Sequence, residues 1–244
     1  MILEKKMKIL VFVPTYNESG NILKLIDALL ALEPTLEVLI VDDHSPDGTN
    51  RIVAEKARND PRVHLIDREP PRGRGLAGRD GFAWFQKNER FDVLVEMDGD
   101  FSHHPRFIPA LVDRLRSCDV CIGSRFVKGG GETGRTLSRK ITSLLANTYL
   151  RFILHARIRD CTSGFRSFSR EALAGIDFTA YESVGPTIVS ETLFDLLQRN
   201  RKIMETPILF ENRFWGESKL SIKILAQSLL FPLKLRLKKI LGLR

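Results

Sequence analysis

The sequence predicts an α/β domain built on a mostly parallel sheet with helices on both faces. Short apolar runs of strand length alternate with segments whose apolar residues recur at helical spacing. The short runs are apolar nearly throughout, which is typical of strands covered on both faces. With 244 residues, 43% of them hydrophobic, the chain can bury a full core and is expected to form one large domain.

The first half of the chain alternates strictly between predicted strands and predicted helices. Pro14 stops the first strand, Thr49 caps the second helix, and Pro105 opens the helix after the fourth strand. The predicted strands are residues 8–13, 37–41, 63–66, 91–97 and 119–123. The predicted helices are residues 22–32, 49–59, 78–87 and a segment that begins at Pro105.

After residue 123 the pattern changes. A glycine-rich loop at 129–131 is expected to be flexible, and a long helix is predicted over 136–154. An extended segment at 162–168, a helix at 190–199 and a last strand at 203–210 follow. The tail is predicted to be helical, with a possible break at Pro232.

The tail also divides the chain into two predicted parts, a domain over 1–218 and a basic amphipathic C-terminal helix over 219–244. Residues 219–244 contain seven basic residues and no acidic one. A helical projection places Leu235 on the polar side and four apolar side chains on one face: Leu233, Leu237, Ile240 and Leu241. Such a helix suits a membrane interface, although packing on its own domain is an equal alternative from the pattern.

Composition narrows the classes of protein and of partner. The formal charge of +8 predicts an anionic partner, whether nucleic acid, acidic lipid or a phosphorylated substrate. We find no signal peptide and no run of the ~20 apolar residues that a membrane-spanning helix needs. Three cysteines, an odd and sparse set in which Cys118 and Cys121 form a C-x-x-C, favour a reducing compartment and buried thiols, so a cytoplasmic protein is expected.

Carboxylates follow three of the predicted strands. Asp98 and Asp100 end the fourth strand, and polar residues at 14–18 and 42–47 follow the first two. Parallel strands bring these ends to one edge of the sheet, where open α/β sheets bind ligands. Paired carboxylates beside substrate phosphates suit Mg²⁺ or Mn²⁺.

These motifs resemble those of a known enzyme family. Family 2 glycosyltransferases of the GT-A fold are similar in three segments: PTYNE, DDHSPDGT and DGD. Polyprenol-phosphate (dolichol-phosphate) mannosyltransferases are similar in four more: DFSHHP, GSRFVKGGG, RDCTSGFRSF and RFWGESKL. The resemblance implies a GT-A catalytic domain that moves a hexose, usually mannose from GDP-mannose, onto a polyprenyl or dolichyl phosphate with inversion.

The resemblance also implies roles for individual residues. The nucleotide sugar would be bound by Pro14, Tyr16, Glu18, Asp43, Asp47, Asp98 and Asp100. The metal would be held by Asp98 and Asp100, with Ser102 as a weaker third ligand. The acceptor phosphate would be bound by Arg125, Arg139, Ser143, Arg213 and Lys219. The groups expected to act in catalysis are Asp98, Asp100, Arg125 and Arg213.

Several alternatives remain open at this point. A UDP-glucose-dependent enzyme, or another family 2 glycosyltransferase, would keep the same fold. A nucleic-acid-binding protein fits the net charge, but carboxylates along the sheet edge have the wrong sign for a phosphate backbone, so no nucleic-acid partner is expected. We expect instead a peripheral enzyme on the cytoplasmic face of a membrane, with a separate membrane subunit as a further possibility.

The segment 72–78 contains the dinucleotide-binding pattern G-x-G-x-x-G. Two prolines and Arg72 separate it from the preceding strand, whereas that fingerprint turns directly from strand into helix. Nicotinamide or flavin binding is therefore not favoured. Relatives more often read G-L-G-x-A in this loop, so the arginines of this sequence leave its sugar contacts open.

Overall fold

A computed structural model of the chain describes residues 7–211 and 222–242. Its main sheet has seven strands in the order β3-β2-β1-β4-β7-β5-β8. All neighbouring pairs are parallel except those of β7, which lies antiparallel between β4 and β5. The strands are β1 (Ile9–Thr15), β2 (Glu37–Asp42), β3 (Val63–Asp67), β4 (Val93–Glu96), β5 (Val120–Ser124), β7 (Arg166–Ser169) and β8 (Ile203–Pro207). A second, two-stranded parallel sheet pairs β6 (Gly131–Glu132) with β9 (Leu209–Phe210).

Helices cover both faces of the main sheet, as the alternation of elements predicts. They are α1 (Ile22–Leu30), α2 (Thr49–Asn59), α3 (Arg74–Lys87), α4 (Ile108–Arg114), α5 (Leu137–Leu154), α6 (Arg170–Leu173), α7 (Ile188–Gln198) and α8 (Ile222–Ile240). Successive side chains of β1 enter two separate cores, Leu10 and Phe12 on one face and Val11 and Val13 on the other. The predicted α/β class with a mostly parallel sheet is therefore confirmed.

Some predicted boundaries are wrong, and each has a local cause. The third helix begins at Arg74, four residues before the predicted start, because the glycine-containing loop itself forms the first turn. The single predicted strand at 203–210 is two strands, since Pro207 ends β8 and β9 pairs with a different partner. The predicted flexible loop at 129–131 ends in β6, which starts at Gly131. The possible break at Pro232 does not occur, because α8 runs through that residue.

The C-terminal helix packs on the body of the protein through a side that the projection called polar. Leu235 is fully buried in the core, and the leucines predicted to form the apolar face are exposed. Helix α8 packs against α5 and α7. Packing on the domain and an exposed apolar face thus occur together in one helix.

Two further expectations concern the cysteines and membrane crossing. Cys118, Cys121 and Cys161 are free and buried, as predicted, and burial raises the pKa of the Cys121 thiol to about 11. Across 7–211 and 222–242, no helix is both long and apolar enough to cross a membrane.

Candidate active site

A cavity of about 520 Å³ opens at the carboxyl ends of the central strands. The order of strands reverses between β1 and β4, which is where open α/β sheets form a ligand crevice. Six of the seven side chains predicted to bind a nucleotide sugar line this cavity: Pro14, Tyr16, Glu18, Asp43, Asp98 and Asp100. The seventh, Asp47, does not appear among the described residues of the lining.

Asp47 instead fastens the loops after β1 and β2 to each other. Its carboxylate accepts hydrogen bonds from the backbone of Ser19 and from both the backbone and the hydroxyl of Thr49. Burial acts to raise the pKa of Asp47, but these hydrogen bonds outweigh it and leave the pKa below its usual value. The carboxylate therefore holds the loop that presents Glu18, and a direct contact with a nucleotide stays a prediction.

Asp43 and Arg72 join the β2 loop to the glycine-containing loop before α3. The carboxylate of Asp43 pairs with Arg68 and accepts a 2.7 Å hydrogen bond from the backbone of Gly73. The guanidinium of Arg72 donates to the Asp43 carbonyl at 2.9 Å and lies 5.1 Å from the ring centroid of Tyr16. This corner offers a planar cation and an aromatic ring beside a carboxylate, which suits a nucleobase.

Asp98 and Asp100 differ in their surroundings. The side chain of Asp98 is 35% exposed at the cavity wall. Asp100 is buried, and its Oδ1 accepts hydrogen bonds from the backbone and the hydroxyl of Ser102 at 3.0 and 2.5 Å. Ser102 therefore orients the buried carboxylate, and its predicted role as a metal ligand remains a prediction.

His103 supports the turn between these aspartates and the following helix. Its buried ring stacks on Phe165, with centroids 5.1 Å apart, and meets Phe210 edge-on. The backbone N–H of Asp98 donates to Nδ1 of His103 at 3.2 Å. Burial lowers the pKa of the ring. The imidazole thus fixes the backbone of Asp98.

The residues at this edge fit a hard divalent cation completed by a substrate. Within the described part of the chain, no group of three or more His, Cys, Asp or Glu side chains could hold a metal alone. Asp98 and Asp100 together offer carboxylate oxygens, which Mg²⁺ and Mn²⁺ prefer. An ion here would depend on phosphate oxygens for the rest of its coordination.

Arg125 does not face the cavity as a free cation. Its guanidinium binds both carboxylate oxygens of Asp160, at 2.8 and 2.7 Å, and Oε1 of Glu132 at 3.1 Å. Only 8% of the side chain is exposed. Burial acts to raise the pKa of Asp160, but Arg125 outweighs it and holds the pKa below its usual value. A direct contact between Arg125 and an acceptor phosphate stays a prediction, and it would require exchange of these protein partners.

Arg139 and Ser143 lie one turn apart on α5. Arg139 is exposed, and the Ser143 carbonyl accepts a 2.9 Å hydrogen bond from Asn147. Asn147 exchanges two hydrogen bonds of 3.1 Å with Thr162, which lines the cavity. The backbone of Ser143 is therefore connected to the cavity through Asn147, and Arg139 lies one turn before it on the same helix. Arg213 and Lys219, the other two, lie outside the described residues.

Sequence reasoning missed several residues of the cavity wall. Thr162, Gly164, Pro186 and Val189 line it from the second half of the chain. Arg74 lines it from the glycine-containing loop. The sequence indicates only that this loop contains two arginines. It does not show that Arg74 lies near the carboxylates.

Comparison with known proteins decides the family. The sequence model of "Glycosyl transferase family 2" matches residues 10–176, which is more than half of the chain. The chain is a member of glycosyl transferase family 2. This glycosyltransferase has the GT-A fold, and the matched segment carries all three strand-end motifs.

Two curated relatives are similar over most of the glycosyltransferase. An undecaprenyl-phosphate mannosyltransferase of Micrococcus luteus is 38% identical over 222 residues, covering 91% of each chain. A polyprenol monophosphomannose synthase of Mycolicibacterium smegmatis is 39% identical over 214 residues, covering 87% of this chain and 80% of its own. Each match extends well beyond the segment that defines the family.

Among solved structures, a glucosyl-3-phosphoglycerate synthase from Mycobacterium tuberculosis is similar in fold. Its complex with Mn²⁺, UDP and glucosyl-3-phosphoglycerate superimposes with a TM-score of 0.67 at 22% identity. The match covers 94% of this chain and 80% of that one. At this level of identity the similarity concerns the fold.

Proposed function

We propose that the protein transfers mannose from GDP-mannose to a polyprenyl or dolichyl monophosphate, with inversion at the anomeric carbon and help from Mg²⁺ or Mn²⁺. The proposal rests mainly on one observation: six of the residues predicted to bind the donor line the same cavity. The names of both curated relatives support mannose as the sugar and a polyprenyl phosphate as the acceptor.

The donor would be bound by residues that follow β1, β2, β3 and β4. Tyr16 and Arg72 would hold the nucleoside beside Asp43, and Asp98 and Asp100 would hold the cation and the diphosphate. When bound, the cation would supply Lewis-acid stabilisation of the charge on the departing diphosphate. Ser102 and His103 keep the two carboxylates in position through hydrogen bonds to Asp100 and to the backbone of Asp98.

The reaction of the acceptor phosphate requires cations that bind it more than it requires a general base. A phosphate monoester has a second pKa near ~6, so it is largely an anionic nucleophile at neutral pH. The enzyme must hold that dianion in line with the anomeric carbon, which exposed cations on α5 can do. Arg139 and Ser143 are the described residues that we assign to this task, and Arg213 and Lys219 are assigned with them from the resemblance. Arg125 would orient Thr162, with which it shares a 2.7 Å hydrogen bond.

A surface formed by α5 and α8 supports a peripheral position on a membrane. The two helices pack together, and the Tyr149 hydroxyl donates to the Leu229 carbonyl. Each helix leaves a row of large apolar side chains exposed: Leu137, Ile141, Leu144, Leu145 and Phe152 from α5, and Leu229, Leu230, Leu233, Leu237 and Ile240 from α8. Basic residues flank the α8 row, and exposed apolar patches with basic flanks suit anionic lipid headgroups. A lipid-phosphate acceptor at the cytoplasmic face would be presented at this surface.

The decisive experiment compares donors on the purified protein. With vesicles that contain undecaprenyl phosphate and Mn²⁺, we expect labelled mannose to pass from GDP-mannose to the lipid fraction. Transfer from UDP-glucose but not from GDP-mannose would overturn the mannose assignment in favour of a glucosyltransferase. Transfer by this chain alone would show that no separate membrane subunit is needed.

A further inference from the structure

Arg74 lies at the cavity because the glycines on either side of it allow a close approach of the backbone. A Cβ on Gly73 would lie 2.3 Å from the carbonyl oxygen of Val184, and a Cβ on Gly75 would lie 2.1 Å from that of Ser183. The backbone of the loop is thus pressed against the 183–184 segment, and neither position can carry a side chain. Arg74 lies between them at the first position of α3, and its side chain lines the cavity.

The guanidinium of Arg74 lies on the side of the cavity that holds the metal-binding carboxylates. Its Nη2 donates to Oε1 of the buried Glu96 at 2.8 Å and lies 3.7 Å from Oδ1 of Asp98. Its Nη1 is buried and has no hydrogen-bond partner within the described residues. A buried guanidinium nitrogen without an acceptor costs free energy, and the 20% of the Arg74 side chain that is exposed at the cavity lining leaves room for a ligand that accepts from the guanidinium.

The charges around the cavity indicate what kind of ligand this is. Glu18, Asp43, Asp98 and Asp100 line the cavity, and a diphosphate would add further negative charge beside the last two. Of the two arginines among the described lining residues, Arg72 is already bound to the carbonyls of Asp43 and His44 on the nucleoside side. Within the described part of the lining, Arg74 is the cation next to Asp98.

We propose that Arg74 binds the diphosphate of the donor through its guanidinium, as a second cation beside the divalent ion. The inference rests on the proposed function, because it assumes that the donor occupies this cavity. A guanidinium there would form a charge-assisted hydrogen bond with a phosphate oxygen and would stabilise the charge that grows on the leaving group.

The test is calorimetric titration of GDP and GMP into the purified protein with Mn²⁺. Arg74→Leu should weaken GDP binding by about tenfold to a hundredfold and GMP binding by less, because only GDP carries the second phosphate. Arg74→Lys should keep part of the affinity. Arg79→Leu is the matched control, since Arg79 lies on the same helix, outside the cavity lining, and hydrogen-bonds the Tyr181 carbonyl. It should bind GDP as the wild type does.

A second variant separates binding from folding. Arg74→Leu leaves the buried carboxylate of Glu96 without this partner, so the double variant Arg74→Leu/Glu96→Gln removes the stranded charge. If Arg74 contacts the diphosphate, the double variant will fold and still bind GDP weakly. GDP affinity restored to the wild-type value would mean that Arg74 only supports Glu96, and this would overturn the proposal. A loss seen with GDP-mannose but not with GDP would also overturn it.

Asp98→Asn, measured in parallel, distinguishes failure of the proposed role of Arg74 from failure of the proposed function. Loss of Mn²⁺-dependent GDP binding in Asp98→Asn with normal binding in Arg74→Leu would refute the role of Arg74 alone. Unchanged GDP binding in both variants would refute the donor site itself.

Discussion

Three leucines at the end of the chain provide a quantitative test of membrane binding. Leu233, Leu237 and Leu241 are 38%, 56% and 68% exposed, whereas Leu235 between them is fully buried. Together the three expose about one and a half leucine side chains, whose transfer from water into a bilayer interface is worth roughly 2–4 kcal/mol. Changing all three to serine should therefore weaken partitioning onto vesicles by roughly thirtyfold to several hundredfold.

The assay is co-sedimentation with vesicles of phosphatidylglycerol and phosphatidylcholine. Leu23→Ser is the matched control, because Leu23 is 43% exposed but lies on α1, away from the surface formed by α5 and α8. The control should bind like the wild type, and raised salt should weaken both, since basic residues of α8 add an electrostatic part. If the triple variant sediments with vesicles as the wild type does while its thermal unfolding is unchanged, α8 does not bind the membrane through these leucines.

Two further predictions concern the acceptor and the docking of α8. Arg139→Ala removes an exposed cation from the α5 face and should raise KM for the lipid phosphate about tenfold while GDP affinity stays unchanged; a loss of GDP affinity would place Arg139 in the donor site. Glu182 pairs with Lys234 and Lys238 of α8, and these lysines lower the pKa of its carboxyl to about 2. This stabilisation is complete above the usual glutamate pKa of about 4.5 and is lost only as the pH falls towards 2. Glu182→Gln should thus speed amide hydrogen exchange in α8 by a similar factor from about pH 5 to 8. If the ratio of the exchange rates of variant and wild type changes strongly over that range, the ion pairs of Glu182 do not dock α8.

Much of the candidate site could be predicted because strand ends are easy to find in this sequence. Apolar runs stop abruptly at 13, 41 and 97, and parallel pairing brings whatever follows them to one edge. The rule needs only local patterns and the parallel order of strands. It accounts for all six of the predicted residues that line the cavity.

The remaining residues could not be placed because their roles depend on partners that are distant in sequence. Arg125 reads as a free cation until Asp160, 35 residues later, is found beside it. Asp47 could bind a ligand or hold a loop, and its hydrogen bond from Ser19, 28 residues earlier, shows that it holds a loop, while a nucleotide contact stays a prediction. Leu235 looked misplaced on a polar face because the projection of one helix does not show what that helix packs against.

We propose that Asp98 and Asp100 bind a nucleotide diphosphate together with a divalent cation. Calorimetric titration of GDP-mannose into the wild type, with Mn²⁺ and with a chelator, tests this binding. Asp98→Asn and Asp100→Asn are measured beside it, with Asp113→Asn, an exposed aspartate on α4, as the control. We predict binding that requires Mn²⁺, is lost in both site variants and persists in the control. Binding of GDP-mannose that is equally tight in the chelator, or in the two site variants, would show that these aspartates do not hold the donor with a cation.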